Sequence, residues 1–125
     1  MAVKNNKIVF IEDDEVTVRM YGLRFEAAGV PMLVALTGQA GLDLVKKEKP
    51  GLVLLDIKLP DMDGFEVLKK LKASPQTKDI PVIVFSNIQR TGNIEKAKKL
   101  GALEFVMKTS VLPKEMVAKV KALLP

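Results

Sequence analysis

Seven of the fifteen acidic residues of this 125-residue chain fall in two short windows, Glu12-Asp13-Asp14-Glu15 and Asp56 to Asp63, although the formal net charge is +5. Like carboxylates packed together repel, and a bound hard cation is the simplest way to offset that repulsion. Each window follows an uninterrupted apolar run, Ile8-Val9-Phe10-Ile11 before Glu12 and Leu52-Val53-Leu54-Leu55 before Asp56. Such runs read as strands buried on both faces of a parallel sheet, and open α/β sheets place their functional crevice just beyond the carboxyl ends of the strands. The chain has no cysteine and no histidine. Disulfides, thiol catalysis, a histidine general base and the usual zinc sites are therefore excluded, and a metal would be held by oxygen, which points to Mg²⁺, Mn²⁺ or Ca²⁺.

The elements that must position these acids alternate strand and helix five times. Strands are expected at 7–12, 30–36, 52–56, 81–85 and 103–107. Helices are expected at 15–28, 38–48, 64–73, about 93–100, and from Pro113 onward. In the first helix Val16, Met20, Leu23 and Ala27 recur at intervals of three or four, a stripe that would face the core. Gly29 suits a C-cap, Thr37 an N-cap, Pro50 a helix stop, and Pro113 the first helical position. Pro31 fits the start of a strand or an edge better than a sheet centre. Met116, Val117, Val120 and Leu124 make the last helix's apolar stripe. Single helices between strands imply parallel βαβ units, so the expected fold is a flavodoxin-like, doubly wound, five-stranded parallel sheet, (βα)5, in a single domain over 1–125 with no output domain.

Hydrophobic content of 48% with 28% charged residues suits a globular domain. No apolar run approaches the roughly 20 residues that span a bilayer, and residues 1–7 lack a secretory leader, so a cytoplasmic location is expected. The basic excess is mostly lysine on helix surfaces. It reads as a solvated face or as a docking surface for an acidic partner; the dispersal argues against a nucleic-acid footprint.

Four fragments, in order, carry a family resemblance: IVFIEDDEV, LVLLDIKLPDMDG, PVIVFSN and GALEFVMKT. Together they resemble the receiver domain of two-component response regulators, in the single-domain, chemotaxis-regulator-like form, over essentially the whole chain. By itself, Asp56 at a strand end reads equally as a nucleophile or as a helix-capping acceptor. The resemblance implies that it is the phosphoacceptor, taking a phosphoryl group from a histidine kinase or histidine phosphotransfer protein. It implies a Mg²⁺ site (Mn²⁺ as substitute) built from Asp13 directly, Glu12 perhaps through water, Asp56 and the Lys58 backbone carbonyl. Ser86 and Lys108 would bind the phosphoryl group, with Lys108 pairing Asp56 at rest, and Phe105 occupies the switch-aromatic position. Signalling to an unidentified downstream protein would pass through the face formed by the fourth helix, fifth strand and fifth helix. Asp14 and Glu15 read instead as caps of the first helix, where the dipole favours negative charge.

Three departures stand out. Thr109 replaces the proline that usually follows the family's lysine. A non-proline cis bond costs about 2.5–4 kcal/mol, so the loop either keeps cis at that cost or relaxes to trans and moves Lys108; with Lys108 required at the phosphoryl group, cis is the expectation. Asn87 stands where a small residue is usual and would crowd the site or alter water access. The acidic pair is Glu-Asp rather than Asp-Asp. Asn87 and Thr109 thus count as modulators. Two other functions compete: a degenerate receiver that binds partners without phosphorylation, and a Mg²⁺-dependent phosphatase or nuclease that adds Asp61 and Asp63 to Glu12 and Asp56. On the leading reading the protein is no metabolic enzyme, only a catalyst of its own phosphotransfer and dephosphorylation.

Overall fold

Runs of four apolar residues without polar interruption stay soluble only if both faces of the strand are covered. The computed structural model of the protein, which describes residues 6–87 and 92–125, shows that arrangement. Strands β1 (Ile8–Ile11), β2 (Met32–Ala35), β3 (Leu52–Leu55), β4 (Val82–Ser86) and β5 (Glu104–Met107) form one parallel sheet in the order β2-β1-β3-β4-β5. They alternate with α1 (Glu15–Ala27), α2 (Gly38–Glu48), α3 (Gly64–Ala73), α4 (Asn93–Lys99) and α5 (Pro113–Leu123). The expected five-stranded, flavodoxin-like sheet is thus present. Of residues 1–7, the segment expected to lack a leader, residues 1–5 lie outside the described residues.

The two-residue side-chain period of a strand divides each run between two cores. Val9, Ile11, Val53, Leu55, Val82 and Val84 meet α2, α3 and α4 on one face. Ile8, Phe10, Leu52, Leu54, Ile83 and Phe85 meet α1 and α5 on the other. Full burial of each such side chain is worth about 1.5–3 kcal/mol, which makes these strands the rigid frame behind the acid clusters. Phe10, Tyr21 and Phe85 gather in the second core; the Tyr21 ring stands edge-on to Phe85 at 5.4 Å and to Phe10 at 6.1 Å.

Punctuation follows the sequence closely. Asp14, Thr37 and Asp63 cap α1, α2 and α3 through their side chains, Pro113 opens α5, and Gly29 takes a left-handed conformation after α1. Pro31 lies just before β2, and β2 is an edge strand. Gly64 is demanded by close approach: its N–H donates to the Ile57 carbonyl at 2.6 Å, and a Cβ there would overlap the Asp56 carbonyl.

The first helix corrects the sequence reading. Val16, Met20, Leu23 and Ala27 face solvent, with Val16 76% and Leu23 64% exposed, and Tyr21 and Phe25 are buried instead. The helix has two apolar stripes, and only one can meet the sheet. The aromatic stripe buries more area per side chain, about 150–250 Å² each, and it wins the core.

Candidate functional site

The carboxylates at the strand ends are held by continuation of the sheet ladder. Glu12 N–H donates to the Ala35 carbonyl at 2.9 Å, and Asp56 N–H to the Ile11 carbonyl at 3.0 Å. Backbone order therefore persists one residue beyond β1 and β3 and fixes where these side chains emerge. Glu12 is 1% and Asp56 6% exposed, while Asp13 is open to solvent. Ser86, the last residue of β4, is fully buried beside them.

Lys108 begins a single 3-10 turn, Lys108–Ser110, directly after β5. Its Nζ donates to Asp56 Oδ2 at 3.2 Å and makes a tighter ion pair with Glu12 Oε1. The pairing with Asp56 matches expectation; the pairing with Glu12 does not follow from the sequence. Asp56 Oδ1 accepts from Ile57 N–H at 2.8 Å, and Glu12 Oε2 from Asp14 N–H at 3.2 Å. Burial pushes the Glu12 carboxyl up to about 7 against the opposing pull of Lys108. Burial also works against the Lys108 charge, but the Glu12 hydrogen bond and the Asp56 charge outweigh it and hold the ammonium above its usual range.

The expected cis bond is absent. The structure has no cis peptide among the described residues, so Lys108–Thr109 is trans, and Lys108 still reaches Asp56. The reason is the turn: a compact helical step after β5 brings the long lysine stem back over the strand ends without the cost of about 2.5–4 kcal/mol for a non-proline cis bond.

Glu12, Asp13, Asp56, Lys58, Ser86, Asn87 and Lys108 all line one open cavity of about 410 Å³, as do Asp14 and Thr17 at the start of α1. Thr17 was not anticipated, since a lone threonine on a helix gives no sequence signal. Phe105 is half-buried against the core under α2, α3 and α4, and Thr109 is exposed; neither lines the cavity. Asp61 and Asp63 are not part of the cluster. Asp61 accepts from the N–H groups of Gly38 and Gln39, and Asp63 from that of Phe65.

Glu12, Asp13 and Asp56 each offer an oxygen, and the three oxygens lie within 4.8 Å of one another. An octahedral Mg²⁺ binds oxygen at about 2.1 Å, so its ligands stand about 3–4.2 Å apart, and small side-chain adjustments close the set. Three carboxylates against one ammonium leave net negative charge. An all-oxygen donor set with room for water suits Mg²⁺ or Mn²⁺.

Comparison with known proteins gives the family of the chain. The family model of the response regulator receiver domain matches residues 8–121. The chain is 38% identical over 105 residues to sporulation initiation phosphotransferase F of Bacillus subtilis, covering 79% of this chain and 78% of that protein. It is 30% identical over 107 residues to the polar-differentiation response regulator DivK of Brucella anthropi, covering 86% and 87%. Among solved structures, a CheY-like receiver domain protein of Methanospirillum hungatei superposes with a TM-score of 0.86 at 28% identity over 94% of this chain and 92% of that one.

Proposed function

Because the chain belongs to the response regulator receiver domain family, we propose that it is a phosphorylation-controlled switch in which Asp56 accepts a phosphoryl group from a histidine kinase or histidine phosphotransfer protein. The observation that carries this reading is the Glu12–Asp13–Asp56 cluster bridged by Lys108. An Asp56 carboxylate oxygen attacks phosphorus as the donor's nitrogen–phosphorus bond breaks, the product is an acyl phosphate, and the donor imidazole keeps the electron pair. Glu12, Asp13, Asp56 and the Lys58 carbonyl would hold the divalent ion. When bound, Mg²⁺ supplies neutralisation of charge on the transferred group. Lys108 leaves Asp56 for a phosphoryl oxygen, a charge-assisted bond, and the Ser86 hydroxyl donates to another. Asn87 sits on the cavity wall and tunes access of water and donor.

Two surfaces suit the two halves of the signal. Thr17 lines the cavity, and the exposed Val16, Met20 and Leu23 run on along α1 from its rim. An apolar helix face contiguous with the acceptor suits docking of the phosphodonor protein. The α4–β5–α5 face exposes Ile94, Leu103 and Leu112 beside half-buried Phe105, and it suits a downstream protein whose binding changes with phosphorylation. Among the described residues no helix is long and apolar enough to cross a membrane. A cytoplasmic location, where histidine kinases present their phosphoryl groups, belongs to the same proposal.

The competing readings lose support. The phosphatase or nuclease needs Asp61 and Asp63 at the metal, and both serve backbone N–H groups elsewhere. The degenerate receiver rests on Asn87 and Thr109; Asn87 does line the cavity, but at the second position Lys108 reaches Asp56 across a trans bond. The test is intact mass after incubation with a small phosphodonor, with and without Mg²⁺, for wild type and Asp56→Asn. One added phosphoryl group that requires both Mg²⁺ and Asp56 supports the proposal, and equal labelling of Asp56→Asn rejects it.

A further inference from the structure

The loop between β3 and α3 carries Lys58, and it is tied down at three places. Gly64 N–H donates to the Ile57 carbonyl at 2.6 Å, and Lys58 and Asp63 form an isolated antiparallel bridge. The third tie leaves the loop altogether. Asp61 Oδ1 accepts from Gly38 N–H at 2.7 Å and Oδ2 from Gln39 N–H at 2.9 Å, across 23 and 22 residues of sequence.

Helix α2 already has an N-cap of its own, since Thr37 Oγ1 accepts from Ala40 N–H at 3.1 Å. One side-chain acceptor is the usual provision for a helix start, whose first four N–H groups lack helical partners. Asp61 takes two more of those donors with both carboxylate oxygens, and these two bonds hold its carboxyl below the usual carboxylate range. The backbone is shaped to allow the contact. A Cβ on Gly38 would fall 2.5 Å from Met62 Cγ, so the loop lies directly on the first residue of α2. A redundant helix cap is an uneconomical use of a bidentate carboxylate; a clamp on the loop that borders the cation cluster is not.

We propose that Asp61 is a positioning residue for the cation site, clamping the Lys58-bearing loop to the N-terminus of α2 so that the site is organised before the ion arrives. This rests on the reading of Glu12, Asp13 and Asp56 as a Mg²⁺ site. Asp61 itself does not line the acidic cavity and is not among the three clustered carboxylates. Its effect passes through order in the loop: a loop fixed during folding costs nothing further at binding, whereas a released loop must be ordered by the ion.

The two caps of α2 supply the test, because only one of them holds the loop. Mg²⁺ affinity is measured calorimetrically for wild type, Asp61→Ala, Asp61→Asn and Thr37→Ala, along with thermal unfolding and the extent of phosphorylation at saturating Mg²⁺. Asp61→Ala should raise the Mg²⁺ Kd about tenfold, the lower end for loss of a group that orients a metal ligand. Its phosphorylation plateau should stay at the wild-type level, which separates lost affinity from lost chemistry. Asp61→Asn keeps a single carbonyl acceptor and should fall between. Thr37→Ala should lower thermal stability comparably while keeping Kd within about twofold of wild type. A wild-type Kd in Asp61→Ala, or an equal loss of affinity in Thr37→Ala, overturns the proposal. Should Asp61→Ala not fold, Asp61→Asn decides by the same criterion. If Asp13→Ala leaves Mg²⁺ binding unchanged, the cation site itself is wrong and the clamp falls with it, an outcome distinct from a normal site with an indifferent Asp61.

Discussion

Glu12 and Asp14 stand two residues apart, and Asp56 and Asp61 five, yet each pair divides its work. Asp14 and Asp61 are exposed carboxylates that accept from fixed donors, Asp14 through Oδ2 from the Thr17 N–H and hydroxyl and Asp61 through both oxygens from the α2 backbone, and both are held below the ordinary carboxylate range. Glu12 and Asp56 are buried at strand ends, share one ammonium, and Glu12 is pushed above that range by burial. The difference is in who satisfies the acid. A carboxylate saturated by backbone N–H groups is part of the scaffold. One that is desolvated and only partly neutralised is poised for a cation, because the ion supplies what the protein withholds.

The sharpest way to break this contrast is to neutralise one acid of each kind. Asp56→Asn should abolish phosphorylation by intact mass while leaving the thermal midpoint at or above wild type, since it removes a charge beside buried Glu12. A large loss of stability would mean that Asp56 belongs with the scaffold acids. Next, Asp13→Ala should weaken Mg²⁺ more than about tenfold, and Glu12→Ala less, measured by calorimetric titration. Asp63→Ala removes a scaffold acid whose side chain, unlike that of Asp61, caps only its own helix, and it should do the reverse: it should cost about 1 kcal/mol in denaturant unfolding, the usual value of an N-cap, with Mg²⁺ affinity nearly unchanged.

The pH dependence sharpens the contrast further. Glu12 has a folded-state value of about 7 against an ordinary 4.5. Between those values the folded protein binds more protons than the unfolded chain, so the stability of the metal-free protein should fall as pH rises through that window. Mg²⁺ competes with that proton, so its affinity should rise from pH 6 to pH 8. A flat affinity across that span would detach Glu12 from the ion. The smallest effect belongs to Thr109→Pro. With a trans bond and Lys108 in a helical turn, a following proline disfavours the Lys108 conformation, so chemical denaturation should show unchanged or slightly lower stability.

Most of the frame could be read from pattern alone, because a four-residue apolar strand between a helix cap and a carboxylate has few alternatives. Asp56, Glu12, Asp13, Ser86 and Lys108 were found as strand-end residues and do converge on one cavity. Three things could not be read. The α1 face was misassigned because periodicity locates apolar stripes without ranking them, and Tyr21 and Phe25 outweigh Val16 and Leu23 in area. The sequence shows only that proline is missing after Lys108; the short turn that makes proline unnecessary is a property of the backbone. The Asp61 tie joins residues more than twenty positions apart, and a turn-rich loop gives no hint of which helix it will touch.

The aromatic group in the second core has a practical consequence. The protein contains one tyrosine and no tryptophan, so its near-ultraviolet emission beyond the weak phenylalanine contribution comes from a single ring. That ring is buried edge-on against Phe85, the residue before Ser86, and beside Phe10, two residues before Glu12. The molecule therefore carries its own optical probe behind the acidic cavity. Displacement of β4 on phosphorylation should register as a change in Tyr21 intensity, without any attached dye. Constant emission through a reaction that mass spectrometry finds complete would confine the change to side chains in front of the sheet.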